Sequence, residues 1–178
     1  LRAMQMALDN ENIAATYWKG VADPTPQGLI GVNGFYNPFE EWDEEVKQYY
    51  RYDPEAAEKL LDEAGYPRGA DGTRFKTTVN YGAWADLDYT EIAAAYWAEI
   101  GVEVKVDVLT SAEYHERLFA RSGKGMYSQI ARNNFDPFNA VSWYHSNAQW
   151  NRGGSQWPEL DAMVDAALSA RTPEEARR

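Results

Sequence analysis

The 178-residue chain contains no cysteine, which removes disulfides, thiol nucleophiles and cysteine-ligated metals together. It has only two histidines, in unlike contexts: His115 beside Glu116 in a helical pattern, and His145 within the run SWYHSN. Basic side chains are scarce. Seventeen Lys and Arg against 28 Asp and Glu give a formal charge of −11. No basic stripe answers a phosphate backbone or an anionic membrane face, so nucleic acid is not an expected partner. No stretch approaches the ~20 apolar residues of a bilayer span. G-x-S-x-G, H-E-x-x-H and a strand-flanked phosphate loop are all missing, and Asp9-Asn10-Glu11-Asn12 lacks the glycine and later Glu of a calcium loop. Asp86 and Asp88 lie close enough in sequence to share an ion, but at a helix start they read more simply as a cap and a complement to the dipole. No metal and no cofactor is expected.

What the chain does have is aromatic. Seven Trp, 12 Tyr and 6 Phe make up 14% of the residues, more flat, partly polar rings than packing requires, which hints at a recognition surface. Charge is concentrated in residues 40–63. Ten carboxylates there (Glu40, Glu41, Asp43, Glu44, Glu45, Asp53, Glu55, Glu58, Asp62, Glu63) face Lys47, Arg51 and Lys59, so this stretch holds −7 of the −11. It reads as a solvated helix face.

Leu1, Met4 and Leu8 share a helical face, Asp9 or Asn10 caps a second short helix, and Gly20 ends it. Residues 21–38, with their Pro and Gly, read as an extended connector. Asp53-Pro54 opens a helix whose stripe is Ala56, Ala57, Leu60, Leu61 and Ala64, closed by Gly65. RFKTTVNY alternates Phe75, Thr77 and Val79 as a strand. Leu87 to Ile100 is helical, with Ile92, Ala95, Tyr96 and Ile100 expected inward. VEVKVDVL puts Val102, Val104, Val106 and Val108 on one side of a strand. Ser111 is the expected cap of a helix carrying Tyr114, Leu118 and Phe119. Met126–Ala131 reads as a third strand, a helix runs from about Pro158 to Leu168, and Thr172 with Glu175 makes a capping box. The opening LRAMQMALDN is already in helical register and TPEEARR breaks off as a helix begins, so the chain reads as a piece of something longer.

Strands alternating with helices of this length imply crossovers and α/β layers. Ligands in such open sheets sit outside the carboxyl ends of the strands. The loops there, YGAWADLD and RNNFDPFNAVSWYHSNAQW, are unusually rich in aromatics and amides. Catalysis has thinner support: paired carboxylates for glycan hydrolysis remain an alternative in so acidic a chain, with Trp84, Trp143 and Trp150 as sugar platforms, yet no carboxylate lies in an obviously apolar pocket.

The run RYDPEAAEKLLDEAGYPRGADGTRFKTTVNYG, the segment YWAEIGVEVKVDVL, the following SAEYHERL and the later DPFNAVSWYHSN resemble the family 5 extracellular solute-binding proteins of ABC importers, which include dipeptide, oligopeptide and nickel receptors. LRAMQMALDNENIA looks like that family's helix just after the chain enters its second lobe. The resemblance implies a type II periplasmic-binding-protein-like fold: a three-layer lobe with a small mixed sheet flanked by helices. It implies one truncated domain, with opening helices and an acidic connector over 1–52 and an α/β core over 53–178. It implies a non-enzymatic receptor lobe that closes with a missing N-terminal lobe over a small-molecule solute and delivers it to membrane permease subunits. Such a receptor is periplasmic or extracellular, in some forms lipid-anchored. A signalling or chaperone-like receptor on the same lobe is a third reading.

By position, the ligand contacts implied are Tyr81, Trp84, Asn133, Asn134, Phe135, Asp136 and Trp143. Trp84 reads equally as strand-end packing, Asp136 as a turn cap before Pro137, and Trp143 as lobe core. Peptide-binding members usually carry an Asp that grips the peptide amine; aligned on Asp136-Pro137, that position is Asn133 here. An amide offers no ion pair to an ammonium, which weakens the case for a peptide, and the expected solute is peptide-like or neutral polar and sugar-like.

Overall fold

The computed structural model describes residues 1–26, 38–82, 85–120, 124–128, 142–148, 151 and 156–176. Two short helices come first, α1 (Arg2–Met6) and α2 (Asn10–Thr16), and the Asp9 side chain caps α2 by accepting from the Asn12 amide. Two 3₁₀ turns, Phe39–Glu41 and Gln48–Tyr50, flank α3 (Glu44–Lys47). Next are α4 (Pro54–Glu63), β1 (Phe75–Gly82), α5 (Leu87–Glu99), β2 (Val102–Leu109), α6 (Ser111–Phe119) and β3 (Met126–Ser128). Helices α7 (Pro158–Ser169) and α8 (Pro173–Ala176) complete the described elements.

The sheet order is β2-β1-β3. β1 pairs with β2 from Phe75 opposite Val102 to Gly82 opposite Leu109 and, among the described residues, with β3 from Val79 opposite Met126 to Tyr81 opposite Ser128. Both pairings are parallel, so the described strands make an all-parallel sheet where a mixed one was expected.

Because side chains alternate along a strand, this register puts Phe75, Val79, Val102, Val104 and Met126 on one face. There Phe75, Val102, Val104 and Met126 join Ala3, Met4 and Met6 of α1, its cap Ala7, Ala57 and Leu61 of α4, and Ile100 in the main apolar cluster. Each large side chain buried in it is worth about 1.5–3 kcal/mol. Trp97 packs against this cluster and its indole N–H donates to the Met4 carbonyl at 2.8 Å, while the Asp53 amide donates to the Met6 carbonyl at 2.8 Å. The opening helix therefore belongs to the same core as α4 and the sheet. On the opposite face α6 supplies Tyr114 and Leu118, which pack with Leu109 and Tyr127. Farther along that face, Asn80 is buried and donates to the carbonyls of Lys124 and Met126, fixing the start of β3. Gly125 just ahead of it has φ +91, and a Cβ there would overlap the Thr78 carbonyl oxygen, so only glycine lets the two segments approach.

Three sequence expectations need correction. Leu1 is exposed rather than sharing the buried face of Met4 and Leu8. In α5 the buried residues are Thr90 and Ala93, while Ala95 is exposed and Ile92 and Tyr96 are half-buried. The cap of α6 is Thr110, not Ser111: Thr110 and Glu113 form a reciprocal capping box.

Candidate functional site

The carboxyl ends of β1, β2 and β3 lie at Gly82, Leu109 and Ser128. Beneath this edge the structure is tied mostly by hydroxyl groups, with the Asp86 carboxylate among their partners. Tyr81 is buried at the end of β1, and its phenol donates to the Ala85 carbonyl at 2.7 Å, bracing the turn toward α5. Asp86 caps α5, accepting from the Tyr89 amide at 3.0 Å and from the Tyr17 phenol at 2.9 Å. That bond to a carboxylate, aided by burial and by the negative charge, pushes the Tyr17 phenol above its ordinary range. Thr90 contacts Ser128 across the gap between α5 and β3, and the Tyr114 phenol donates to the Ser128 carbonyl at 3.0 Å.

A second tie holds residues 142–148, a compact turn carrying Trp143, to the first turn of α7. The Asp161 carboxylate accepts from the Ser146 amide at 2.7 Å and also from the Ser146 hydroxyl. These bonds, with the nearby His145 ring, hold the Asp161 carboxyl below the usual range. The His145 nitrogens lie 3.9 Å from Asp161 and 3.6 Å from Asp165, and Nδ1 accepts from the Asn147 amide at 3.0 Å.

Of the residues chosen from sequence, Tyr81 lies at the edge as a buried strut, and Trp143 is half-buried in the turn held by Asp161. Trp84, Asn133, Asn134, Phe135 and Asp136 lie outside the described residues. Asp86 caps a helix, as its sequence context indicates. Thr90, Ser128 and Asp161 were not singled out from sequence. The Thr90–Ser128 bond spans 38 residues and the Ser146–Asp161 bond 15, and no local pattern signals such pairing.

Chemistry finds little support at this edge. A glycosidase needs a carboxyl group whose pKa is raised to act as acid, whereas every described carboxylate with a resolved shift is lowered: Glu44, Glu58, Asp71, Asp107, Glu113 and Asp161. Among the described residues no group of three or more His, Asp or Glu side chains is arranged to hold a metal. The His115 Nδ1 donates to the Ser111 carbonyl at 2.8 Å, and the ring stacks on Phe119.

Comparison with known proteins decides the family. The sequence profile described as "Bacterial extracellular solute-binding proteins, family 5 Middle" matches residues 2–152. The chain belongs to family 5 of the bacterial extracellular solute-binding proteins. It is 29% identical to heme-binding protein A of Haemophilus influenzae, over 98% of this chain and 31% of that protein. It is 27% identical to a dipeptide-binding protein of Pseudomonas aeruginosa, over 95% of this chain and 30% of that protein. The chain thus spans about a third of the length of these family 5 relatives. Among solved structures, the ABC transporter-associated periplasmic binding protein of Helicobacter pylori in complex with the peptide STSA superposes with a TM-score of 0.77 at 22% identity. That match covers 99% of this chain and 33% of the other, and establishes the shared fold.

Proposed function

We propose that this chain is one lobe of the substrate-binding component of an ABC importer, capturing a small solute at the carboxyl edge of its sheet. In this reading residues 1–52 are the opening helices and acidic connector and 53–178 the α/β core. A second lobe of the same protein closes over the solute, excluding water and strengthening each polar contact. The receptor then meets membrane permease subunits from the periplasmic or extracellular side. Among the described residues no helix is long and apolar enough to cross a membrane. The chain binds and releases; it breaks no covalent bond.

The observation that carries this reading is the family match across residues 2–152, supported by the braced carboxyl edge. Tyr81, Trp84, Asn133, Asn134, Phe135, Asp136 and Trp143 are the proposed contacts, through ring stacking and amide hydrogen bonds. The similar proteins carry the names of heme and dipeptide binders, two chemically unlike solutes. Asn133 in place of a carboxylate favours a neutral polar or sugar-like ligand over a free peptide amine.

The test is mass spectrometry of the solute retained by the full-length receptor purified under non-denaturing conditions. A single class of small molecule at near one equivalent, released unaltered on unfolding, is expected. Recovery of a chemically converted product, with turnover abolished by one Asp or Glu substitution, would replace the receptor reading with the hydrolase.

A further inference from the structure

Thr90 lies one turn into α5 and is 4% exposed. Its hydroxyl has two neighbours. It donates to the Asp86 carbonyl at 2.8 Å, and it lies 3.0 Å from the Ser128 hydroxyl. A threonine hydroxyl has one hydrogen to give and two lone pairs to offer. With that hydrogen committed to Asp86, Thr90 Oγ1 must accept, so the Ser128 hydroxyl is the donor. The direction of the whole line follows: Ser128 to Thr90 to the Asp86 carbonyl.

A threonine bonding to the carbonyl four residues back is commonplace in helices and by itself says only that a turn is capped. The bond to Ser128 is different. It joins residues 38 positions apart, on a helix and on a strand. Among the described residues β3 pairs with β1 from Met126 to Ser128. Ser128 is gripped twice, by Thr90 at its hydroxyl and by the Tyr114 phenol at its carbonyl. At the other end of the line, Asp86 is bonded by Tyr17 from the chain that follows α2. Four separate pieces of chain therefore meet through five side chains just under the carboxyl edge.

We infer that Thr90 is a positioning residue for this edge: its hydroxyl couples the α5 amino terminus to Ser128 of β3, so that Asp86 and Ser128 keep a fixed separation. That this edge faces solute rests on the proposed function; the coupling itself does not.

Amide hydrogen exchange on the 178-residue chain, with no solute present, tests the coupling. Thr90→Val keeps the volume and the branched shape but removes the hydroxyl. Exchange is expected to accelerate about tenfold at residues 87–90 and equally at 126–128, the cost of about one lost buried hydrogen bond. The helix at 158–169 should not respond, and Thr90→Ser should restore both segments to within about twofold. Ser128→Ala, which cuts the same bond from the strand side, should accelerate exchange at 87–90 although it leaves the helix sequence intact. Acceleration confined to α5 in Thr90→Val, no response of α5 to Ser128→Ala, or failure of serine to restore protection would each overturn the coupling. Because no solute enters the experiment, such a result leaves the receptor reading untouched. Loss of the receptor reading likewise leaves the exchange result standing.

Discussion

The two edges of the sheet are held by different chemistry. At the amino edge the ties are ionic. Arg74, just before β1, has a side chain only 2% exposed; it bonds Glu58 at 2.9 Å and also contacts Asp62 on α4. Arg68 adds a two-pronged bond to Glu58 at 3.0 and 2.9 Å and reaches the carbonyls of Gly72 and Glu99. One charged cluster thereby locks α4, the turn before β1 and the end of α5. At the carboxyl edge the described ties are mostly phenols and hydroxyls of Tyr17, Tyr81, Thr90, Tyr114 and Ser128. Guanidinium groups gripping a fixed turn suit an edge that only has to stay shut. Beneath the other edge the ties are mostly uncharged hydroxyls, anchored on the Asp86 carboxylate.

The largest effect should come from the ionic edge. Arg74→Met removes the buried guanidinium from Asp62 and from Glu58, which keeps Arg68, and should lower unfolding stability by about 1–2 kcal/mol, read as a lower urea midpoint at unchanged slope. A loss below about 0.5 kcal/mol would mean the cluster is decorative.

A pH scan sharpens the contrast, since the edges should fail at opposite ends. The Arg68 bonds, then the Arg74 bond, hold the Glu58 carboxyl down to about 2 in the folded protein. A lowered folded value means the stabilisation is whole above the ordinary glutamate range and is lost as pH falls from there toward 2. Tyr17 shifts the other way. Its stabilisation is whole below the ordinary tyrosine range near 10 and is lost as pH rises beyond it. Exchange protection should therefore fall first around 58–74 in acid and around 86–90 in alkali. Glu58→Gln should blunt the acid limb and Tyr17→Phe the smaller alkaline one. A scan in which both variants lose the same limb would erase the distinction between the edges.

The ionic edge and the hydroxyl edge also differ in how well they can be read from sequence. Helix α4 is legible because Asp53-Pro54, the Ala57 and Leu61 stripe and Gly65 all agree. β2 is legible because its valines alternate strictly with charges. α5 misleads because LDYTEIAAAYWAE is apolar nearly all round, so two stripes compete, and burial of Thr90 and Ala93 settles what periodicity cannot. The shift from Ser111 to Thr110 was readable after all: Glu113 stands three residues after Thr110, whereas Tyr114 stands three after Ser111. At the candidate site, Tyr81 and Asp86 follow from their places at the end of a strand and the start of a helix. The Thr90–Ser128 bond does not, because two ordinary hydroxyl residues on different elements carry no local signature of their meeting.

The most direct test of the account is a nuclear magnetic resonance titration of the 178-residue chain with the solute recovered from the full-length receptor. Shifts confined to the carboxyl edge, at Tyr81, Gly82, Asp86 and Ser128 and in the turn around Trp143, with Arg68, Arg74 and Glu99 unmoved and the solute unchanged, are the predicted result. Shifts centred on the Arg74 cluster, or consumption of the solute during the titration, would contradict it.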